Sequence, residues 1–402
     1  MESPLNPSEP RNHFKVSASS LYGAAFLMAT SAIGPGFITQ TTVFTEELFT
    51  SFSFVILISI LLDIVVQLNI WRVIASTQMR APEMANRVLP GLGYVLVAFV
   101  VLGGIAFNMG NIGGCGLGFN VLFGFDTTMG AALSCVLAII IFLVKEFGKA
   151  MDLFTKILGF TMIALTLYVA VQSHPPMLDI LHRSFVPSQI DTKAIITLVG
   201  GTVGGYISFA GAHRMLDAAR GEKLLLAHVN RSAVSGIAIA GLMRILLFIA
   251  VAGVVATGIK LSGGNPTATV FQSAAGELGL KLFGLILWSA AITSVVGAAY
   301  TSVSFLETLH PFIQTNRQWF IIAFIVLSTA LFTLIKNPVN ILITAGALNG
   351  FVLPLSLGVT LLMANRLAKA GNYQHPLWLK ITGWGVVTVM AWLSVVLIRN
   401  FF

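Results

Sequence analysis

The sequence predicts an all-α integral membrane protein of about eleven transmembrane helices, arranged as an inverted 5+5 repeat with broken spans 1 and 6. Three observations predict it. The composition is too apolar for a water-facing surface, the basic residues sort to alternate loops, and glycine- or proline-interrupted sequences recur in spans five apart.

Of 402 residues, 56% are apolar and 9% charged, with a mean hydropathy of +0.90; soluble domains carry about 45–50% and about 25%. Such a chain cannot clothe itself for water, which excludes a cytosolic enzyme, a nucleic-acid binder and a disulfide scaffold. The formal charge of +8 then reads as loop charge rather than as a surface for a polyanion. Cys115 and Cys135 lie in apolar surroundings without a CxxC or Cys/His spacing, so they read as membrane packing. Residues 1–18 carry prolines and acids but no short apolar core, so they are expected to form a polar cytoplasmic tail rather than a cleaved leader.

About 20 mostly apolar residues cross the hydrocarbon. Stretches of that kind fall at 22–44, 52–74, 92–112, 130–144 and 153–171, giving a first repeat over 19–171 whose fourth span is short. A second, inverted repeat over 192–364 has spans at 195–213, 234–257, 280–305, 319–335 and 339–363; an extra eleventh helix at 377–398 lies within 376–402. With the N-terminus inside, sixteen of the 23 Lys and Arg fall in inside loops, which fixes the alternation.

Gly34-Pro35-Gly36 interrupts the first span, and Gly200-Gly201 with Gly204-Gly205 the sixth. Backbone groups freed in hydrocarbon are tolerated where they line a cavity or are buried in protein, so the paired breaks point to a central substrate site. Gly113, Gly114 and Gly118 read instead as close helix packing. Asp63 in span two and Arg244 in span seven are mid-span charges, expected to form a buried pair.

These residues resemble the natural-resistance-associated macrophage protein (NRAMP) family of proton-coupled divalent-metal transporters. Gly34-Pro35-Gly36-Phe37 matches that family's GPGF opening, Asn120-Val121-Leu122-Phe123-Gly124 looks like its NLLFG, and Phe147-Gly148-Lys149 through Asp152 resembles FGxRKLE. Leu282-Phe283-Gly284-Leu285 with 290–297, and Leu353-Pro354, follow in register. The resemblance implies an inverted pair of five-helix repeats and metal transport. It also exposes departures. The family's metal-binding Asp-Pro-Gly-Asn, placed eight residues beyond the opening, falls on Thr45-Glu46-Glu47-Leu48; its Met-Pro-His falls on Gly204-Gly205-Tyr206 and its second histidine on Gly211; the Asp and Glu associated with proton passage fall on Asn108 and Asn111.

Two cargo classes follow. One is a divalent cation with selectivity moved away from thioether-bound metals, with Thr45 and Glu46 as candidate ligands. The other is a small carboxylate-bearing solute, such as an amino acid or derivative, held by half-helix N-termini and oriented by Tyr206, Ser208 and Asn349. The expected substrate site comprises Gly36, Thr41, Thr42, Thr45, Gly204, Gly205, Tyr206 and Ser208, with Asn108 and Asn111 lining a polar passage. The expected partners are the lipid bilayer, the transported solute or metal ion and a coupling ion, with no nucleic acid and no cofactor. Seven scattered histidines and the lack of HExxH, GxSxG or a phosphate loop argue against an enzyme. Short loops and inside-basic charge favour a prokaryotic cell membrane with a cytoplasmic N-terminus.

Overall fold

The computed structural model describes residues 32–219, 224–261, 263–371 and 373–401, which are helical throughout apart from short connections. Residues 22–31 of the first expected span lie outside the described residues, as does the N-terminal tail. Extended Gly34 then opens α1 (Pro35–Leu48), with Pro35 at the first helical position, where its missing N–H is no loss. A 3-10 turn leads into α2 (Phe52–Thr77). The short α3 (Ala81–Val88) and the long α4 (Leu92–Phe123) follow, and Gly124 ends α4 in the left-handed conformation. Asp126 caps α5 (Thr127–Leu143), and α6 (Lys145–Gln172) turns by 108° into α7 (Met177–Arg183).

The second half starts with α8 (Thr192–Val203) and α9 (Ile207–Ala219), which together occupy the sixth expected span. Next come α10 (Leu226–Ala256), α11 (Pro266–Leu306), the short α12 (Pro311–Thr315), α13 (Arg317–Ile335), α14 (Pro338–Lys369) and α15 (Leu377–Phe401). Prolines at 266, 311 and 338 open three of these helices, as Pro35 opens α1.

Eight helical stretches among the described residues are long and apolar enough to span a membrane, or nine with the bent α6–α7 pair. The difference from eleven has local causes. Residues 35–77 count as one stretch although they hold parts of two expected spans, and α5 is a shorter apolar helix. The expected eighth span begins just after Gly276, whose φ of 63° kinks α11 and divides an outer segment from the span proper.

α4 runs along α11 and α14, α14 along α8, and α2 along α10. A Cβ on Gly200 would lie 2.1 Å from the Gly346 carbonyl oxygen, so α8 and α14 meet backbone to backbone. α6 presents an exposed apolar face of Leu153, Ile157, Phe160, Leu167 and Val171.

Polar ties close one end of the bundle. Arg80 pairs with Asp217 at 3.1 Å and Glu307 at 3.9 Å, and Arg317 reaches Glu307 at 2.8 Å while stacking on Tyr300. Nearby, the Arg72 Nε–H donates to the Tyr373 hydroxyl, which lies 2.8 Å from His375 Nδ1, and His375 Nε2 lies 2.7 Å from Asn69 Oδ1. Asn69 spends its Nδ2 on carbonyls, so His375 is neutral with its proton on Nε2. Burial, aided by Arg72 and Lys380, pushes the imidazole down to about 4 from its ordinary 6.5.

Two outcomes follow for the protein in detergent. Gly200→Val separates α8 from α14 and lowers thermal stability by about 1–3 kcal/mol, whereas Gly159→Ala, with open space around it, leaves stability unchanged. Because His375 binds its proton more weakly when folded, stability falls as pH drops from 6.5 towards 4; melting curves of His375→Gln over that range are expected to be flatter than wild type.

Candidate substrate site between the two helix breaks

The site is built from two interrupted spans. At the first, Pro35 has no N–H to give, and the N–H groups of Gly36 and Phe37 open α1 without intrahelical partners. At the second, Gly204 N–H still bonds back to the Gly200 carbonyl, Gly205 turns the chain at φ +53°, and Tyr206 offers its carbonyl to Phe209 and Ala210. Ser208 holds the ends together: its hydroxyl donates to the Val203 carbonyl (2.8 Å) and to Gln67 Oε1 (3.1 Å). α2 adds a second grip through the Trp71 indole N–H to the Ser208 carbonyl.

The breaks meet through Asn111. A Cβ at Gly34 would sit 3.1 Å from Ser294 Oγ and 3.7 Å from Asn111 Oδ1, and the Tyr206 hydroxyl faces the same Asn111. Tyr206 is held edge-on against Phe107 at 5.7 Å. Asn108 and Asn111 are wholly buried, yet neither amide atom of either has a hydrogen-bond partner; Ser294 Oγ, Ser302 Oγ and Gln40 Oε1 are likewise unpaired. Unmet polar groups cost about 1–3 kcal/mol each, so a concentration of them marks where water or a solute completes the structure. Asn349 Oδ1, also unpaired, points at Gly205: a Cβ there would lie 1.7 Å away.

The expected site residues divide. Gly204, Gly205, Tyr206 and Asn111 gather around the breaks, Ser208 anchors them, Gly36 lies beside Phe107 and Gln40, and Asn108 is buried one turn of α4 before Asn111. Thr41, Thr42 and Thr45 do not gather there. Their hydroxyls return to the carbonyls of Phe37, Ile38 and Thr41, one turn back along α1, with Thr267 also bonding Thr42. Glu46 is exposed and accepts the Leu261 N–H, away from Thr45, so the pair does not converge as metal ligands.

The register of the first break is also corrected. Residues 45–48 are unbroken helix, and the interruption sits at Gly34. Among the described residues no three His, Cys, Asp or Glu side chains converge.

The expected buried pair takes another form. Asp63 and Arg244 are both buried, but their charged atoms stay farther apart than 4.0 Å. Arg244 Nη1 donates to Thr202 Oγ1 at 3.0 Å, its guanidinium lies 4.3 Å over the Phe37 ring, and Asp63 lies against the same Thr202. Arg244 Nε and Nη2 and Asp63 Oδ1 have no partner. Gln40, Gln67, Ser294 and Thr202 were not singled out from sequence; the two glutamines, polar in apolar stretches, carried the signal that would have found them.

A helix that starts at Gly34 and a helix pair broken at Gly204–Tyr206 meet over buried, unpaired polar groups, and that arrangement defines the class: a secondary transporter. The Nramp profile, "Natural resistance-associated macrophage protein-like", matches residues 25–400, and the chain belongs to that family. It is 58% identical over 373 residues to the uncharacterized membrane protein YcsG of Bacillus subtilis, covering 93% of this chain and 92% of that one. A manganese transporter mutant of Eremococcus coleocola superposes with a TM-score of 0.72 at 17% identity, covering 98% of this chain and 89% of that one. MhsT in complex with L-phenylalanine superposes with a TM-score of 0.62 at 17% identity, covering 96% and 99%.

Gly205→Ala is expected to lower thermal stability by at least about 1–2 kcal/mol from backbone conformation alone, beyond its overlap with Asn349. Adding Asn349→Ala removes the overlap and recovers part of the loss. Equal melting temperatures for Gly205→Ala and wild type would contradict this geometry.

Proposed function

We propose that this Nramp-family transporter carries a divalent cation through a site between the Gly34 and Gly204–Tyr206 breaks, held by neutral oxygen atoms. The supporting observation is the pair of unpaired oxygens, Asn111 Oδ1 and Ser294 Oγ, beside Gly34, with the unpaired amide of Asn108 one turn of α4 away. Amide, hydroxyl and backbone oxygens are hard donors, and with glycine in place of the family's methionine no thioether recruits softer metals. The last carbonyls of α8 add partial negative charge to the same region. Gly205, at positive φ, is the natural pivot for opening the site alternately to each side. The setting is a prokaryotic cell membrane with a cytoplasmic N-terminus.

A second reading, a small carboxylate-bearing solute, is favoured by a different observation: a buried guanidinium with two free nitrogens stacked on the first turn of α1. That cation opposes a metal ion and attracts a carboxylate.

Thermal unfolding of the purified protein against Mg²⁺ and Mn²⁺, and separately against amino acids and short monocarboxylates, separates the two. A divalent cation at 100 times its dissociation constant adds about 2.7 kcal/mol, and Asn111→Ala is expected to erase that gain. A response confined to the carboxylates would replace the first reading with the second.

A further inference from the structure

We propose that Asp63, Thr202 and Arg244 form a proton-coupled anchor for a solute carboxylate, in which the solute takes over Arg244 as Asp63 takes up a proton. This rests on the second reading of the cargo and adds to it the binding residue and the coupling ion.

Arg244 stands between the two breaks. It donates to Thr202, two residues before Gly204, and stacks on Phe37, in the opening turn of α1. One guanidinium edge is thereby used and two nitrogens, Nε and Nη2, are left free in a wholly buried place. A carboxylate accepts two parallel N–H bonds from such a fork, and the N–H groups of Gly36 and Phe37, which have no partner within α1, lie at the same helix start.

Charge accounting gives the coupling. Among the described residues, Arg244 is the one charged group acting on Asp63 and Asp63 the one acting on Arg244. The other charged side chains described on α2, on α10 and on the helices packed against them, Glu46, Glu47, Arg72, Lys156, Asp179, Arg183, Lys193, Arg214, Asp217, Arg231, Glu277, Lys281, Arg366, Lys369, Lys380 and Arg399, act on neither. The empty unit is neutral, Asp63⁻ balancing Arg244⁺ through Thr202. A solute carboxylate would place two anions beside one cation out of water, a cost of several kcal/mol in a weakly screening interior. One proton removes it: an O–H bond forms at the free Asp63 Oδ1, the solute becomes the counter-ion of Arg244, and no bond in the solute changes. Release to the other side returns the proton and restores the Asp63–Arg244 balance. Solute and proton therefore cross together, without net charge for a monocarboxylate.

The test uses the full-length protein in detergent, titrated by calorimetry with amino acids, lactate and pyruvate from pH 5 to 8. Wild type is expected to bind a carboxylate with an apparent affinity that strengthens up to about tenfold per pH unit of acidification. In Asp63→Asn the carboxylate still binds and the pH dependence is gone. Arg244→Gln loses binding at every pH, and Arg244→Lys retains a weaker part of it. Thr202→Val, which keeps both charges, serves if either charge variant fails to fold; it is expected to weaken binding and leave the pH slope in place. Carboxylate binding with the same pH slope in wild type and Asp63→Asn would overturn the coupling and leave the carboxylate reading intact. No carboxylate binding at any pH would overturn both.

Discussion

Everything in this protein depends on one constraint: inside hydrocarbon there is no water to satisfy a backbone N–H or carbonyl, so a helix is broken only where other parts of the protein close around the gap. The two breaks at Gly34 and Gly204–Tyr206 explain why the surrounding helices look as they do. α4 brings Asn111, α14 brings Asn349, α2 brings Gln67 and Trp71, and each is buried against the interrupted backbone. The close approach of α8 to α14 serves the same end, because side chains between them would hold the half-helices apart from what covers them.

The positions of the breaks were legible because Gly and Pro disrupt helices for local reasons, readable residue by residue. So were Asp63 and Arg244, since charge is rare in apolar stretches. What joins those two was not: Thr202 is an unremarkable residue in sequence, and only the packing of α2, α8 and α10 makes it the intermediary. The threonines of α1 misled for a related reason, since a hydroxyl in a helix always has the carbonyl one turn back within reach, and here that partner won. Residues 45–48 lie within an unbroken helix, and the irregular backbone sits at Gly34, before α1 starts. The start of the eighth span, expected at Leu280, falls just after the kink at Gly276, while the helical segment that precedes it, from Pro266, was not foreseen.

The electrostatics of the centre differ from what the family's metal ligands would supply. No carboxylate lies at the first break, where Gly34 and Phe37 stand, and the nearest formal charge is the guanidinium over Phe37. Neutral oxygens at the breaks, a buried cation and an acid that meets it through Thr202 take the place of those ligands, on helices that keep the family's arrangement.

Arg80 shows how such a bundle is fastened without being locked. It lies at the start of α3 and touches Asp217 on α9 and Glu307 at the C-cap of α11, and Glu307 is shared with Arg317 at the start of α13. Because the acids sit on different helices, either contact can part while the other persists. The closed end can therefore loosen in instalments, and small rearrangements of α9 need not undo the whole assembly at once.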